Sequence, residues 1–163
     1  MRNIYSPIEV DDDSLLLDDE KHELFYSKIN ALPQNIQDLL FSLDTEDKLK
    51  NIAVQTKLNQ NQSIELTRLV RDVLINEIYL GDIIKESQKR LVVSEEFARE
   101  IANQIVSVIL APALEDIKKI HVEKFGRPAA DVATPSNSKS QIPERDKPQI
   151  INPGNIVNLR NKN

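Results

Sequence analysis

The fold is decided by residues 94–110, which read SEEFAREIANQIVSVIL. Phe97, Ile101 and Ile105 recur at intervals of four, so they share one face of a helix. Smaller apolar residues between them widen this face until few polar positions remain. The pattern predicts a helix at the centre of a domain. Ser94 precedes two glutamates and is typical of an N-cap, which places the start of this helix.

Five shorter apolar stripes precede this helix, each with a spacing of three or four residues. Asp44 or Thr45 is expected to cap the third helix, which we expect to fray around residues 59–61. Gly81 is expected to end the fourth helix in a left-handed turn, and Asp82 to cap the fifth. The stripes consist of Leu24, Phe25 and Ile29; Ile36, Leu39 and Leu40; Leu49, Ile52 and Ala53; Leu66, Leu69, Val70 and Val73; and Ile83, Ile84 and Leu91, with Gln88 on the same face as the last set.

Together these patterns predict an all-α fold, a compact bundle of about six or seven short helices within residues 20–125. Pro112 lacks a backbone donor, so we expect the central helix to kink or restart there before it continues to Phe125. With no tryptophan, four phenylalanines and three tyrosines, the core must consist mainly of aliphatic side chains. Residues 1–19 are acidic and residues 126–163 are rich in Pro, Ser and Asn, and both are expected to be disordered tails.

The charge of the chain is concentrated in the two predicted tails. Residues 1–20 hold one basic and seven acidic side chains, whereas residues 126–163 hold six basic and three acidic ones. The net charge of the whole chain is −5, so the part between the tails is nearly neutral. A nearly neutral domain disfavours a nucleic-acid-binding surface of ordinary strength.

The composition excludes several kinds of chemistry. The chain has no cysteine, which removes disulfides, thiolate nucleophiles and cysteine-based metal sites. The first residues lack the apolar run of a signal peptide, and no stretch of about 18 uncharged apolar residues is present to span a bilayer. We therefore expect a cytoplasmic protein without a membrane span and without a cofactor.

Neither catalytic nor metal-binding residues can be assigned. His22 has no second ligand four residues later, as a helical zinc site needs, and His121 is expected at the boundary of the core. The acidic pairs that begin at Glu46 and Glu95 fall in first helical turns, where the helix dipole favours negative charge. We expect no enzymatic activity.

Two apolar segments in the tails are candidate partner-binding motifs. Leu15, Leu16 and Leu17 lie between two acidic clusters, and three interpretations stay open: docking on a partner, docking on the chain's own domain, or plain disorder. The second segment favours docking, because apolar residues in a polar tail otherwise have little physical reason to be there. It consists of Ile156, Val157, Leu159 and Arg160.

Four short segments carry a resemblance to known proteins: residues 82–86 (DIIKE), 91–96 (LVVSEE), 101–102 (IA) and 109–112 (ILAP). In their order and spacing they resemble a small helical domain of uncharacterised proteins from candidate-phyla bacteria. The resemblance covers roughly residues 32–120. It implies an all-α fold and carries no functional residues.

These observations favour a non-enzymatic protein–protein interaction module, an adaptor or scaffold, that uses the tail motifs and a helical surface. The alternative is a small helix-turn-helix-like regulatory nucleic-acid-binding protein. That alternative would use Lys85, Lys89 and Arg90, or Lys118, Lys119 and Lys124, but acidic neighbours dilute both clusters. A protein partner is expected, and a homo-oligomer stays open.

Overall fold

The computed structural model describes residues 3–11 and 18–127 of the chain. Within these ranges the regular secondary structure is all helical, which confirms the predicted all-α bundle of about six or seven helices. The α-helices are α1 (Asp19–Asn30), α2 (Gln34–Phe41), α3 (Leu43–Gln55), α4 (Gln60–Leu74), α5 (Ile83–Leu91), α6 (Glu95–Gln104) and α7 (Leu114–Phe125). A 3₁₀ helix at Leu80–Asp82 precedes α5, and a π-helical segment (Ile105–Leu110) with a 3₁₀ turn (Ala111–Ala113) joins α6 to α7.

The predicted central helix is α6 with the π-helical segment that continues it. The Ser94 hydroxyl accepts a hydrogen bond from the backbone N–H of Phe97 at 3.3 Å, which confirms the predicted N-cap. Ile101, Ile105 and Ile109 are fully buried, as the apolar stripe requires. These side chains form one core with those of α4, and burial of this apolar surface is the main term that stabilises the domain.

Pro112 breaks the helix in the predicted place. The backbone passes from π-helical to 3₁₀ geometry around it, because a proline ring cannot occupy a regular α-helical interior. The whole stretch Glu95–Phe125 is nevertheless helical, and by length and composition alone it could cross a membrane. Of its most apolar window, 44% is buried inside the domain, and core helices of soluble proteins can meet the same criteria of length and composition.

The segment predicted to fray around residues 59–61 instead begins α4, so this prediction was wrong. The Asn59 side chain accepts from the backbone N–H of Gln62, and the Gln62 side chain accepts from the backbone N–H of Asn59, both at 3.0 Å. This capping box satisfies two backbone donors that a frayed end would leave to water. The Gln62 amide also donates to the carbonyl of Leu91 at 2.8 Å and thereby ties α4 to the end of α5.

The start of α3 also differs from the prediction. Its N-cap is Ser42, whose hydroxyl accepts from the backbone N–H of Asp44 at 3.1 Å, rather than Asp44 or Thr45. Thr45 is buried instead of capping. The link between α2 and α3 is therefore a single residue.

Gly81 does not end a helix in the left-handed region, as the sequence had suggested. α4 already ends at Leu74, and the positive φ after it belongs to Asn76 (63°). Gly81 lies in the 3₁₀ helix, where a Cβ would overlap the ring of Tyr79, so this position needs glycine for space. Asp82 precedes α5 as predicted, but its side chain makes no capping hydrogen bond.

Residues 3–11, which the sequence assigned to a loose acidic tail, form turns that pack against the helices. Val10 is fully buried, Tyr5 and Ile8 pack against the core, and the Asn3 amide donates to the Glu46 carboxylate at 2.6 Å. The boundary predicted at residue 20 therefore leaves out part of the packed domain. Residues 1–2, 12–17 and 128–163 of the two predicted tails lie outside the described ranges.

Candidate functional site

An ion-pair cluster fixes the N-terminal segment to α4. The Asp11 carboxylate accepts from Arg68 at 2.5 and 2.8 Å and from Arg71. Asp72 then joins Arg71, at 2.9 Å, to Arg90 of α5, at 2.7 Å. We call this set the arginine–carboxylate cluster; its members are Asp11, Glu65, Arg68, Arg71, Asp72, Glu86 and Arg90.

The carboxylates and guanidinium groups of the cluster stabilise each other's charged forms. Burial alone would raise the pKa of Asp11, but its hydrogen bonds to Arg71 and Arg68, with their positive charges, outweigh burial and lower it. The same hydrogen bond from Arg68 to Asp11 raises the pKa of Arg68. Both partners therefore stay ionised near neutral pH, and the cluster acts as a structural clamp between the N-terminal segment, α4 and α5.

A surface groove lies beside this cluster, between α1 and the end of α4, and encloses about 310 Å³. We call it the α1–α4 groove. Its apolar lining consists of Leu24 and Phe25 on α1 and Ile75 just after α4. Charged side chains of both signs surround this lining: Lys21, Lys28, Arg71, Asp11, Asp72 and Glu77.

The helix that forms one wall of the groove is sparsely packed. In the described part of the chain, α1 packs extensively against no single other element, and of its 12 residues only Ile29 is buried. Leu24 is 58% exposed. The Lys28 ammonium bridges across the groove to the Glu77 carboxylate at 2.8 Å, and this hydrogen bond lowers the pKa of Glu77. α1 is thus held partly by an exposed ion pair, with apolar surface left open.

A second pocket, of about 360 Å³, lies on the other side of Glu77. The rings of Tyr79 and Phe125 form part of its wall, with centroids 5.5 Å apart. We call it the Tyr79–Phe125 pocket. Its other lining residues are Glu77, Ile78, Asp82, Glu86 and Arg127, so three carboxylates face one guanidinium.

His121 is fully buried, not at the boundary of the core as the sequence had suggested. Its Nδ1 accepts from the backbone N–H of Leu80 at 2.9 Å, so its Nε2 carries the proton and donates to the carbonyl of Val73 at 3.0 Å. Burial lowers the pKa of His121 and favours the neutral ring. Because both nitrogens are occupied, this histidine joins α7 to the link between α4 and α5, and it has no nitrogen left for proton transfer.

The described residues contain no group of three metal-ligating side chains. His22, the other histidine, lies on α1 with its ring centroid 4.7 Å from that of Tyr26. Glu95 and Glu96 are in the first turn of α6, where the sequence predicted them, whereas only Glu46 of the other acidic pair is in a first turn, because α3 already begins at Leu43. The helix dipole therefore gives Glu46, Glu95 and Glu96 a structural explanation.

The seven residues predicted to bind partners lie outside the described ranges: Leu15, Leu16, Leu17, Ile156, Val157, Leu159 and Arg160. Their role stays a prediction. The three leucines nonetheless belong to a segment that starts after Asp11 and ends before Asp18, the N-cap of α1. Asp11 itself lines the α1–α4 groove. Asp18 does not, but it caps α1, and Lys21 of α1 lines the groove.

No family model, characterised protein or solved structure matches the chain. The resemblance to small helical domains of candidate-phyla bacteria therefore stays a prediction.

Sequence reasoning missed both the role of Asp11 and the two surface depressions. The available signal for Asp11 was the set of apolar residues just before it, Tyr5, Ile8 and Val10, which a fully solvated segment does not need. The partners Arg68 and Arg71 lie 57 and 60 residues away, and local pattern cannot reveal such a pairing.

Proposed function

We propose that this chain is a non-enzymatic protein-interaction module whose α1–α4 groove binds a helical segment of a protein partner. The observation that carries the proposal is the apolar face of α1, on which Leu24 is exposed and Phe25 is only partly buried against the core. Leu24 and Phe25 lie one helical turn from Lys21 and Lys28, so all four line the same side of α1. A helix-in-groove complex requires such a face, with apolar anchors at its centre and charges at its rim.

The energetics of α1 support the proposal. A helix of about 12 residues is marginal in water without tertiary contacts, and α1 buries a single residue completely. A partner helix that covers Leu24 and Phe25 would contribute about 25 cal/mol for each Å² of apolar surface that it buries. The rim carries equal numbers of cations and anions, which suits an amphipathic partner helix that itself carries both charges.

Site-specific photo-crosslinking can test this proposal. A benzophenone amino acid is placed at Leu24 in the full chain, and a matched variant carries it at Val54, which is similarly exposed (66%) but lies on α3. We expect the Leu24 variant to form a discrete adduct with another polypeptide, and Phe25→Asp to abolish it. The proposal fails if both positions give the same adducts, or if Leu24 crosslinks only to residues 12–17 of its own chain.

The N-terminal leucine motif belongs to the same proposal as an additional contact, in a cytoplasmic setting. Replacing Leu15, Leu16 and Leu17 by serine should weaken capture of the crosslinked partner if they contact it. The substitution is preferable to deletion of residues 1–19, because residues 3–11 are part of the packed domain.

One feature favours the alternative of a nucleic-acid binder. α5 and α6 pack against each other more extensively than any other pair of described elements, and residues 92–94 join them by a short turn, as in helix-turn-helix folds. The exposed start of α6, however, presents Glu95, Glu96 and Glu100 with Arg99 as the only cation. Phosphates would be repelled there, so we rank this alternative second.

An electrophoretic mobility shift separates the two candidates. The interaction module predicts no shift of duplex DNA or RNA at micromolar protein and low salt. A shift whose affinity falls steeply between low and moderate ionic strength would support the nucleic-acid binder instead.

A further inference from the structure

The Tyr79–Phe125 pocket has the chemistry of a site for a basic side chain. The Tyr79 ring can attract a cation, as the Phe125 ring already does with the Lys124 ammonium, 5.5 Å from its centroid, and the pocket is lined by three carboxylates against one guanidinium. The Asp82 side chain makes no ion pair or hydrogen bond in the described part of the chain, and the Glu86 carboxylate has only the 3.4 Å contact to Arg90. Two carboxylates are therefore available to a further cation.

The position of the chain indicates which cation this is. Arg127, the last described residue, lies in the wall of the pocket, so residues 128–163 start from the site itself. Residues 147–163 contain Lys147, Arg160 and Lys162 and no acidic side chain. This segment complements the carboxylates in charge, and Leu159 next to Arg160 complements the apolar side chain of Ile78 in the pocket lining.

We propose that the C-terminal motif around Leu159 and Arg160 binds in the Tyr79–Phe125 pocket of the same molecule. The Arg160 guanidinium contacts the carboxylates of Asp82 and Glu86 and covers an aromatic ring, while Leu159 packs against Ile78.

Because the motif and the pocket belong to one chain, a weak interaction is sufficient to keep the pocket occupied in a large fraction of the molecules. Arg160 lies 33 residues beyond Arg127, and a ligand on a tether of that kind meets its site at an effective concentration on the order of millimolar. A site with an affinity of about 1 mM would then be occupied in roughly half of the molecules. Because a single exposed ion pair contributes little, the ion pairs, the cation–aromatic contact and the packing of Leu159 must all contribute to reach such an affinity.

Paramagnetic relaxation enhancement in the full chain can test this proposal. The chain has no cysteine, so Asn161→Cys provides a single attachment point for a spin label. We expect selective loss of amide signal for Ile78, Tyr79, Asp82 and Phe125. Amides of α3, which packs on other elements, serve as the internal reference.

Charge variants make the assignment specific. Arg160→Gln should lower the ratio of docked to free molecules about two- to fivefold, since it removes the contribution of an exposed ion pair. Asp82→Asn should act similarly without disturbing α5, because the Asp82 side chain makes no capping hydrogen bond. Lys139→Gln is the matched control in the same tail, and we expect it to change nothing.

A mixed sample identifies which molecule supplies the motif. It combines isotope-labelled chain that has no spin label with spin-labelled chain that has no isotope label. The proposal requires signal loss only when both labels are in the same molecule. It is overturned if the loss is absent or spread evenly over the domain, if Arg160→Gln and Asp82→Asn leave it unchanged, or if the mixture reproduces it. The last result would assign the pocket to the tail of a second copy.

Discussion

Val92→Gly should stabilise the domain, because Val92 is a β-branched residue in the left-handed region (φ 54°, ψ 53°) at the end of α5. That backbone conformation costs a residue with a side chain about 1–2 kcal/mol. Val92 is 87% exposed, so little apolar burial is lost when its side chain is removed. The greater entropy of glycine in the unfolded chain favours unfolding and offsets about 0.5–1 kcal/mol of this gain. The expected net gain is about 0.5–1 kcal/mol.

Urea unfolding followed by circular dichroism measures this gain. The midpoint should rise with no change in the slope m, since the surface exposed on unfolding stays the same. The melting temperature should increase by about 2–5 °C for a domain of this size.

Two neighbouring substitutions serve as controls. Val92→Ala keeps a side chain in the left-handed region and should gain little. Val93→Gly changes a partly buried residue with ordinary φ and should destabilise the domain by about 1 kcal/mol. The reasoning about backbone strain is refuted if Val92→Gly is no more stable than the parent, or if Val92→Ala gains as much.

Three further predictions concern buried polar groups and packing. Because burial lowers the pKa of His121, its contribution to stability is present above about pH 6.5 and is lost as the pH falls, by up to about 1.4 kcal/mol per pH unit; urea midpoints between pH 7.5 and 5 should show this slope, and His121→Gln should flatten it. Asp11→Asn should cost about 1–2 kcal/mol by weakening the bonds to Arg68 and Arg71, whereas the exposed Asp47→Asn should be neutral in the same unfolding assay. Gly81→Ala should cost about 1–3 kcal/mol through contact with the ring of Tyr79, and a double-mutant cycle with Tyr79→Leu should recover most of that loss.

The core helices could be predicted because their signal is local and repeated. Leu66, Leu69 and Val73 on α4, like Ile101 and Ile105 in the central helix, are all fully buried as their spacing predicted. A residue that faces the core once in every turn produces the same pattern whatever it packs against.

Positions whose role depends on a single tertiary contact were not predictable in this way. Gly81 was assigned a left-handed turn because that is the commonest use of glycine after a helix, whereas here the ring of Tyr79 excludes a side chain. Asp11 was assigned to a loose tail because a run of acids opposes compaction. The guanidinium groups of Arg68 and Arg71 reverse that effect, since they bind one of the acids at the edge of the core.

The candidate sites were harder to predict than the fold because both depend on surface that the domain leaves uncovered. A stripe such as Leu24, Phe25 and Ile29 predicts a buried face, but only the packing shows that Ile29 alone is buried and that Leu24 stays exposed. Sequence periodicity therefore identifies apolar faces without distinguishing those that pack in the core from those that remain open for a partner.

Glu77 links the two depressions electrostatically, because it lines both the α1–α4 groove and the Tyr79–Phe125 pocket. Its carboxylate is 2.8 Å from the Lys28 ammonium on α1 and 3.8 Å from the Lys124 ammonium on α7. A cation that enters the pocket competes with Lys28 for this carboxylate, and the ion pair of Lys28 is one of the contacts that hold α1 in place, beside the burial of Ile29. Since coupling between sites is reciprocal, we expect a ligand that draws Lys28 away from Glu77 to raise the affinity of the pocket for a cation. Because this ion pair is exposed, the expected effect is small, and Lys28→Gln should reproduce it in the absence of any ligand on α1.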